Sequence, residues 1–180
     1  MRRPSIIAFV AVLLTAALAS ASAQEWGVSV GSWSFAGGGP GPGAYACAGL
    51  SAGLGQRLEL EAFGVARATP APFGDALAGA ILGFSVFGPR RTTYFNMVLD
   101  LGFLQTVVED GIPGLGPSYA MLRLSPLVVG TPYYGHRDRI FSLGLVYDLG
   151  SGALSATWNV LIVHWYPGSH AWLPAGDRER

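Results

Sequence analysis

The sequence is built from short apolar segments, each roughly a dozen residues long and bounded by Gly, Pro or Asp. In several of them apolar and polar residues alternate strictly, as in Tyr94–Phe103. Strict alternation is typical of a β-strand whose two faces meet different surroundings. Segments of this kind cover residues 25–35, 43–54, 56–68, 75–87, 92–108, 117–129, 138–149 and 152–166. We therefore predict an all-β fold of eight strands.

The links between the segments are short and rich in Gly and Pro, as at 37–42, 69–74 and 109–116. Turns require these residues, whereas the interiors of strands avoid them. Short links make each strand antiparallel to the next, and closure of such a meander removes its two exposed edges. The pattern predicts an eight-stranded antiparallel up-and-down β-barrel with both chain termini at one end.

The predicted domains are a signal peptide at 1–23, the barrel at 24–166 and a polar C-terminal tail at 167–180. Arg2 and Arg3, the apolar stretch Ile6–Leu18 and the small residues Ala21–Ala23 have the order of a cleavable secretory leader. Cys47 is the only cysteine, which excludes an internal disulfide.

Composition indicates which side of the barrel wall is apolar. Charged residues are 12 % of the chain, about half the usual share, while 51 % are hydrophobic. After the leader, the longest apolar runs, 76–88 and 122–130, are shorter than the ~20 residues of a membrane helix. A strand crosses a bilayer with only about ten residues. We therefore predict a transmembrane β-barrel. The chain has no Lys and no strongly basic character, so we expect no nucleic-acid partner.

Alternation assigns one apolar and one polar face to each strand. On the fifth segment Phe95, Leu99 and Leu101 share one face and Asp100 lies on the other. Applied to the neighbouring segments, the same parity predicts a polar cluster in the barrel lumen, made of Arg57, Glu59, Glu61, Asp100 and Arg123. Two interpretations stay open: interior salt bridges that fill a narrow barrel, or a narrow polar path or carboxylate site. Packing in an eight-stranded barrel favours salt bridges.

No motif predicts catalysis, a cofactor or a metal. His136, His164 and His170 have no second ligand at the spacing of a metal site, and no G-x-S-x-G elbow is present. We expect no enzymatic activity, no catalytic residues, no cofactor and no metal.

Aromatic residues near the segment ends predict girdles at the two membrane interfaces. They are Trp26, Trp33, Tyr94, Tyr147, Trp165 and Tyr166.

The links also predict two rims of different charge. Asp75, Glu109, Asp110 and Asp148 are expected at the end opposite the termini, and Arg90, Arg91, Arg137 and Arg139, with Asp138 among them, at the termini. The simpler interpretation is solvated turn residues. The other is an acidic outer rim that bridges anionic lipids through divalent cations or avoids an anionic surface altogether.

The leader, the amphipathic strands such as Arg57–Arg67 and Tyr94–Phe103, the Gly-rich turns and the aromatic segment ends together resemble the small bacterial outer-membrane barrels of the OmpA, OmpX and OmpW type. The resemblance is architectural and spans Glu25–Tyr166. It implies a monomer in the outer membrane, with outer-membrane lipids and the outer-membrane assembly machinery as partners. It also implies a structural or narrow, porin-like small-solute role. Such proteins usually end in an aromatic strand, whereas here a polar tail follows Trp165–Tyr166.

Two alternatives share parts of this pattern. A lipid-modifying outer-membrane enzyme would carry a His, a Ser and a carboxylate on its outer wall, and no such triplet is found in the sequence. A soluble lipocalin-like ligand carrier would have the same meander with its apolar face turned inward.

Overall fold

The computed structural model describes residues 25–37, 40–69, 74–90, 94–131 and 136–167. They form one antiparallel sheet, in which β4 also pairs with β5, so that eight long strands close into a barrel. The strands are β1 (Glu25–Ala36), β2 (Gly43–Leu54), β3 (Leu58–Thr69), β4 (Ala76–Ser85), β5 (Phe95–Glu109), β6 (Ile112–Pro113), β7 (Ser118–Thr131), β8 (His136–Asp148) and β9 (Leu154–Trp165).

The predicted all-β, closed, eight-stranded antiparallel fold is confirmed, and the strand bounds differ from the predicted ones by at most three residues. In the described part of the chain, no helix has the length and apolar character needed to cross a membrane. The predicted leader at 1–23 lies outside the described residues, as does the tail beyond residue 167.

The short strand β6 was not predicted. It pairs with the last residues of β5 through a two-residue turn at Asp110 and Gly111. Their φ angles are 50° and 77°, as the mirror-image turns of tight hairpins require. An Asp-Gly pair supplies this geometry at low cost, so the segment predicted as a plain link extends the barrel wall.

The two ends of the barrel follow from the strand order. β1 begins and β9 ends at what we call the termini end, together with the β2–β3 turn Gly55–Arg57. The opposite end, called the far end, carries the β5–β7 hairpin and the β8–β9 turn.

Each of three neighbouring strands, β7, β8 and β9, contains one extra residue at the same place in the sheet. β7, β8 and β9 keep a continuous register with one another. The pairing of β5 with β7 shifts between Asn96 and Val98, and the pairing of β1 with β9 shifts between Gly31 and Ser34. Each of the three strands has two consecutive outward residues at this level: Pro126–Leu127, Ile140–Phe141 and Val160–Leu161.

We call this feature the three-strand bulge. Phe141 has a φ of 55°, a left-handed conformation that is rare for a bulky residue and that occurs at bulges. An inserted residue shifts the alternation of inward and outward side chains by one position. On the termini side of the bulge, residues that uninterrupted alternation would turn outward therefore face inward, and the reverse.

The far-end half of the barrel interior has an aromatic and aliphatic core, with uncharged polar side chains such as Gln105 and Thr106 buried beside it, and we call it the apolar half. Trp33 stacks on Phe63 with ring centroids 5.1 Å apart, and Phe35 meets Tyr45 edge to face at 5.1 Å. Side chains from the surrounding strands complete this core: Val65, Leu77, Leu104, Tyr119, Met121 and Val146.

Candidate functional site: the charged half of the barrel interior

The termini-end half of the interior is charged, and we call it the ionic half. Four buried carboxylates and four buried guanidinium groups occupy it together with one imidazole. Buried charges are stable only when they are paired and hydrogen-bonded, so the partners of each group decide what this region can do. Its charged members are Glu25, Glu59, Glu61, Asp100, Arg90, Arg123, Arg137, Arg139 and His164.

Asp100 on β5 is a shared acceptor for two arginines. Arg123 lies opposite it on β7 and donates from Nε to Oδ2 at 2.8 Å. Arg139 on β8 donates from Nη1 to the same oxygen at 2.6 Å. Asp100 therefore joins three strands through one carboxylate.

Glu59 on β3 is the second shared acceptor. Arg137 donates from Nη1 to Glu59 Oε2 at 3.0 Å and from Nη2 to Ser85 Oγ at 2.7 Å, and the Tyr166 hydroxyl donates to Oε1. Arg139 Nη2 lies 3.8 Å from Glu59 Oε2. Because Arg139 contacts both Asp100 and Glu59, the two acids belong to one network.

Glu61 is paired differently. Ser29 donates from Oγ to Glu61 Oε1 at 2.5 Å. The ion-pair partner of the other carboxylate oxygen is an imidazole, with His164 Nε2 3.5 Å from Oε2. The His164 ring lies parallel to Tyr166 at a centroid distance of 6.4 Å. Glu61 therefore differs from Glu59 and Asp100 in having an imidazole, and not a guanidinium, as its ion-pair partner.

The Glu25–Arg90 pair lies across the termini end of the interior. Arg90 comes from the link after β4, and its backbone N–H donates to the Gln56 carbonyl at 2.8 Å. Its Nε–H lies 3.4 Å from the Gly55 carbonyl. These contacts hold a loop arginine over the barrel opening.

Arg123 marks the boundary between the two halves. Its Cζ lies 4.9 Å from the centroid of the Trp33 ring, on the apolar side, while its Nε binds Asp100 on the ionic side. A cation over an indole face is attracted by the ring quadrupole, so a single side chain joins the charged and aromatic regions.

Inward-facing glycines make room for the long arginines. A Cβ added to Gly83 would lie 2.7 Å from Asp100 Oδ1 and 3.4 Å from Arg139 Nη2. Gly53 faces the Arg90 guanidinium and the Glu25 side chain in the same way. These strand-interior glycines therefore serve side-chain packing and not a turn.

The structure brings four of the five residues of the predicted lumen cluster together inside the barrel: Glu59, Glu61, Asp100 and Arg123. It does not bring Arg57 into this cluster. Arg57 belongs to the β2–β3 turn, is exposed, and donates from Nη1 to the Val86 carbonyl at 3.1 Å. Alternation counted backwards along the chain from Glu59 assigns Arg57 to the inner face. The strand begins only at Leu58, so Arg57 lies in the turn, where this alternation does not apply.

Sequence reasoning missed the arginines and the histidine that balance these acids. Four arginines were expected on a solvated rim; three of them are buried in the ionic half, Arg90, Arg137 and Arg139, and the fourth, Arg91, lies outside the described residues. For β8 and β9 the reason is the three-strand bulge, which turns Arg137, Arg139 and His164 inward. The consecutive apolar residues Ile140–Phe141, which break the alternation of β8, were the available signal.

Two members of the predicted aromatic girdles are also inside. Trp33 and Tyr166 are buried, whereas Trp26, Tyr94, Tyr147 and Trp165 are exposed. Trp33 lies on the inner parity of β1, and Tyr166 follows β9 beyond the bulge, where the parity is reversed.

The far end carries the expected acidic residues around a concave opening of about 360 Å³. At its edge Arg67 pairs with Asp75 at 2.5 Å, and Arg67 Nη2 donates to the Tyr45 hydroxyl at 3.1 Å. Tyr45 in turn donates to the Pro40 carbonyl at 2.5 Å. The other acids lining the opening are Glu109, Asp110 and Asp148.

Within the described ranges, no three His, Cys, Asp or Glu side chains converge as metal ligands would. The ionic half instead presents matched opposite charges that bind one another. Such an arrangement holds strands together and gives the interior a polar lining.

No protein-family model matches this chain, and neither a curated protein nor a solved structure is found to be similar to it. The chain folds into an all-β barrel that eight long antiparallel strands close, with an ionic half and an apolar half in its interior.

Proposed function

We propose that the chain is an integral outer-membrane β-barrel protein, secreted with a cleaved leader, that acts as a monomeric structural element or handles small solutes narrowly. Its partners on this proposal are the lipids of the outer membrane and the machinery that assembles barrels there. The proposal includes no enzymatic activity and no cofactor.

The observation that carries the proposal is the contrast between the two sides of the wall. Every long strand exposes large apolar side chains outward, while the termini-end interior holds charges. Exposed apolar patches of this extent are unusual on soluble monomers, and lipid-facing barrels have an apolar outside and a polar inside. The outward set includes Val30, Leu50, Leu58, Leu82, Leu99, Leu101, Leu122, Leu143, Leu161 and Val160.

Aromatic side chains around the termini end give further support. Trp26 and Trp165 lie on the neighbouring strands β1 and β9, and the Trp165 indole N–H donates to His136 Nε2 at 2.8 Å. Phe84, Tyr94 and Phe95 continue the exposed aromatic series on the opposite side. Among these residues Trp26, Trp165 and Tyr94 have the amphipathic rings that are enriched at a membrane–water interface.

A soluble carrier would have an apolar interior cavity for its ligand and a polar outer surface in contact with water. The apolar outer surface and the charges inside this barrel are the opposite arrangement, and they argue against a soluble carrier. For the lipid-modifying enzyme, His164 is buried inside the barrel and does not reach the outer wall, whereas His136 at the termini end lies on the outer side and accepts a hydrogen bond from the Trp165 indole N–H.

A cell-fractionation experiment tests the proposal. The native protein should sediment with the outer membrane, require detergent for extraction, and migrate faster on gels when it is not heated. Recovery in the soluble periplasmic fraction would contradict the membrane assignment. Altered lipid species in a deletion strain would instead favour the enzyme.

A pair of matched variants sharpens this test. Leu101 is 61 % exposed at mid-height of β5, and Ile112 is 71 % exposed in the far-end hairpin. In a bilayer, Leu101→Arg should cost about 2–4 kcal/mol and reduce assembly, whereas Ile112→Arg should have little effect. Equal folding of both variants in detergent-free buffer would favour a soluble barrel.

A further inference from the structure

Several fully buried polar atoms at the junction of the two halves have no hydrogen-bond partner among the described residues. Arg123 has two such atoms, Nη1 and Nη2, although its Nε binds Asp100. The others are Asp100 Oδ1, Asn159 Oδ1 and His164 Nδ1, while Glu61 Oε2 and His164 Nε2 have only their mutual ion-pair contact at 3.5 Å.

These atoms lie at one level of the barrel. Arg123 packs on Trp33, and Trp33 stacks on Phe63, the next inward residue after Glu61 on β3. His164 Nε2 lies 3.5 Å from Glu61 Oε2. Asn159 pairs with Ser142 on β8, and the Ser142 hydroxyl lies 2.8 Å from that of Ser125, two residues from Arg123.

The chemistry of these atoms selects the ligand. The guanidinium only donates hydrogen bonds, the carboxylate and amide oxygens only accept them, and an imidazole contributes to both kinds. An anion beside Arg123 would face Asp100 and Glu61, and a cation would face Arg123. Water donates and accepts, and it satisfies buried polar groups of mixed character in protein interiors.

We propose that the junction holds a cluster of ordered water molecules bound by Arg123, Glu61, Asp100, Asn159 and His164. The cluster ends at the stacked rings of Trp33 and Phe63. This inference does not depend on the membrane location proposed above.

A high-resolution crystal structure of the detergent-solubilised protein tests the inference. We expect electron-density peaks within hydrogen-bonding distance of Arg123 Nη1 or Nη2 and of Glu61 Oε2. Direct contact of Arg123 with Glu61, with no density between them, would overturn the proposal. An anomalous peak beside Arg123 after a bromide soak would overturn it in favour of an anion site.

Two variants on β9 provide a matched comparison. Asn159→Leu removes one buried acceptor at the junction. Thr157→Val, the control, keeps the size of the side chain and removes a hydroxyl that donates to the Ser34 carbonyl in the far-end half. We expect Asn159→Leu to lose at least one junction peak and Thr157→Val to keep them all. An unchanged set of peaks in Asn159→Leu would contradict its role as a water ligand.

A solution measurement keeps the proposal testable if a variant fails to fold. Magnetisation transfer from long-lived water to the Arg123 guanidinium protons should be detectable by NMR in the wild-type protein. Its absence, with those protons assigned, would count against the cluster.

Discussion

The two halves of the barrel interior are enclosed by the same eight strands but are stabilised in different ways. In the apolar half, side chains such as Leu104 and Val146 fill volume, and apolar residues of similar volume can replace them at modest cost. In the ionic half, Asp100 and Glu59 share Arg139, so the loss of one group leaves others unpaired. Two buried regions enclosed by the same strands can therefore differ sharply in how their stability responds to a single substitution.

The largest effect is expected for Asp100→Leu. The substitution removes the acceptor of both Arg123 and Arg139 and leaves two guanidinium groups buried. The free energy of unfolding should fall by about 3–5 kcal/mol, as measured by urea unfolding in detergent micelles or lipid vesicles.

Glu109→Leu is the control, because Glu109 is an exposed acid near the end of the same strand. The free energy of unfolding of Glu109→Leu should stay within about 0.5 kcal/mol of the wild-type value. If Asp100→Leu proved equally mild, the ionic half would not be the interdependent network described above.

A cavity in the apolar half should have a smaller effect. Leu104 is fully buried on β5, so Leu104→Ala should cost about 2–3 kcal/mol, and Leu104→Met, which conserves volume, less than about 1.5 kcal/mol. The same unfolding measurement tests both. If Leu104→Met destabilised the protein as much as Leu104→Ala, the shape of the side chain, and not its volume, would determine stability in the apolar half.

Glycine substitutions separate inner from outer positions. Gly83→Ala should cost about 1–3 kcal/mol, because its Cβ would meet Asp100 Oδ1 at 2.7 Å. Gly64 faces outward, and a Cβ there meets nothing closer than the Leu77 carbonyl at 3.9 Å, so Gly64→Ala should be neutral or slightly stabilising. Thermal unfolding of the two variants compares them, and the opposite order of their melting temperatures would contradict the inward packing of Gly83.

Apart from the control variants, the smallest effect is expected for Tyr45 at the far-end opening. Tyr45→Phe removes the hydroxyl that donates to Pro40 and accepts from Arg67, which keeps its ion pair with Asp75. The loss should be about 1 kcal/mol by chemical denaturation. A loss of stability as large as that of Asp100→Leu would mean that the network of interdependent charges extends from the ionic half through the apolar half to the far end.

Strand number and strand bounds were predictable because alternation and turn residues are local signals. The interior positions of Glu59, Glu61, Asp100 and Arg123 followed from the same parity. Arg137 and Arg139 were not predictable in this way, because their orientation depends on how three strands pair around the bulge. Arg90 lies on a link, and its burial depends on a side chain that folds back over the barrel.

The three-strand bulge also limits how the length of this chain can change in evolution. Deleting one residue at Ile140–Phe141 alone would break the register of β8 with both neighbours. Deleting one residue from all three strands would restore that register but turn Arg137, Arg139 and His164 outward, away from their acids. We therefore expect related sequences to gain or lose residues here in all three strands together, and only when the interior charges are replaced in the same lineage.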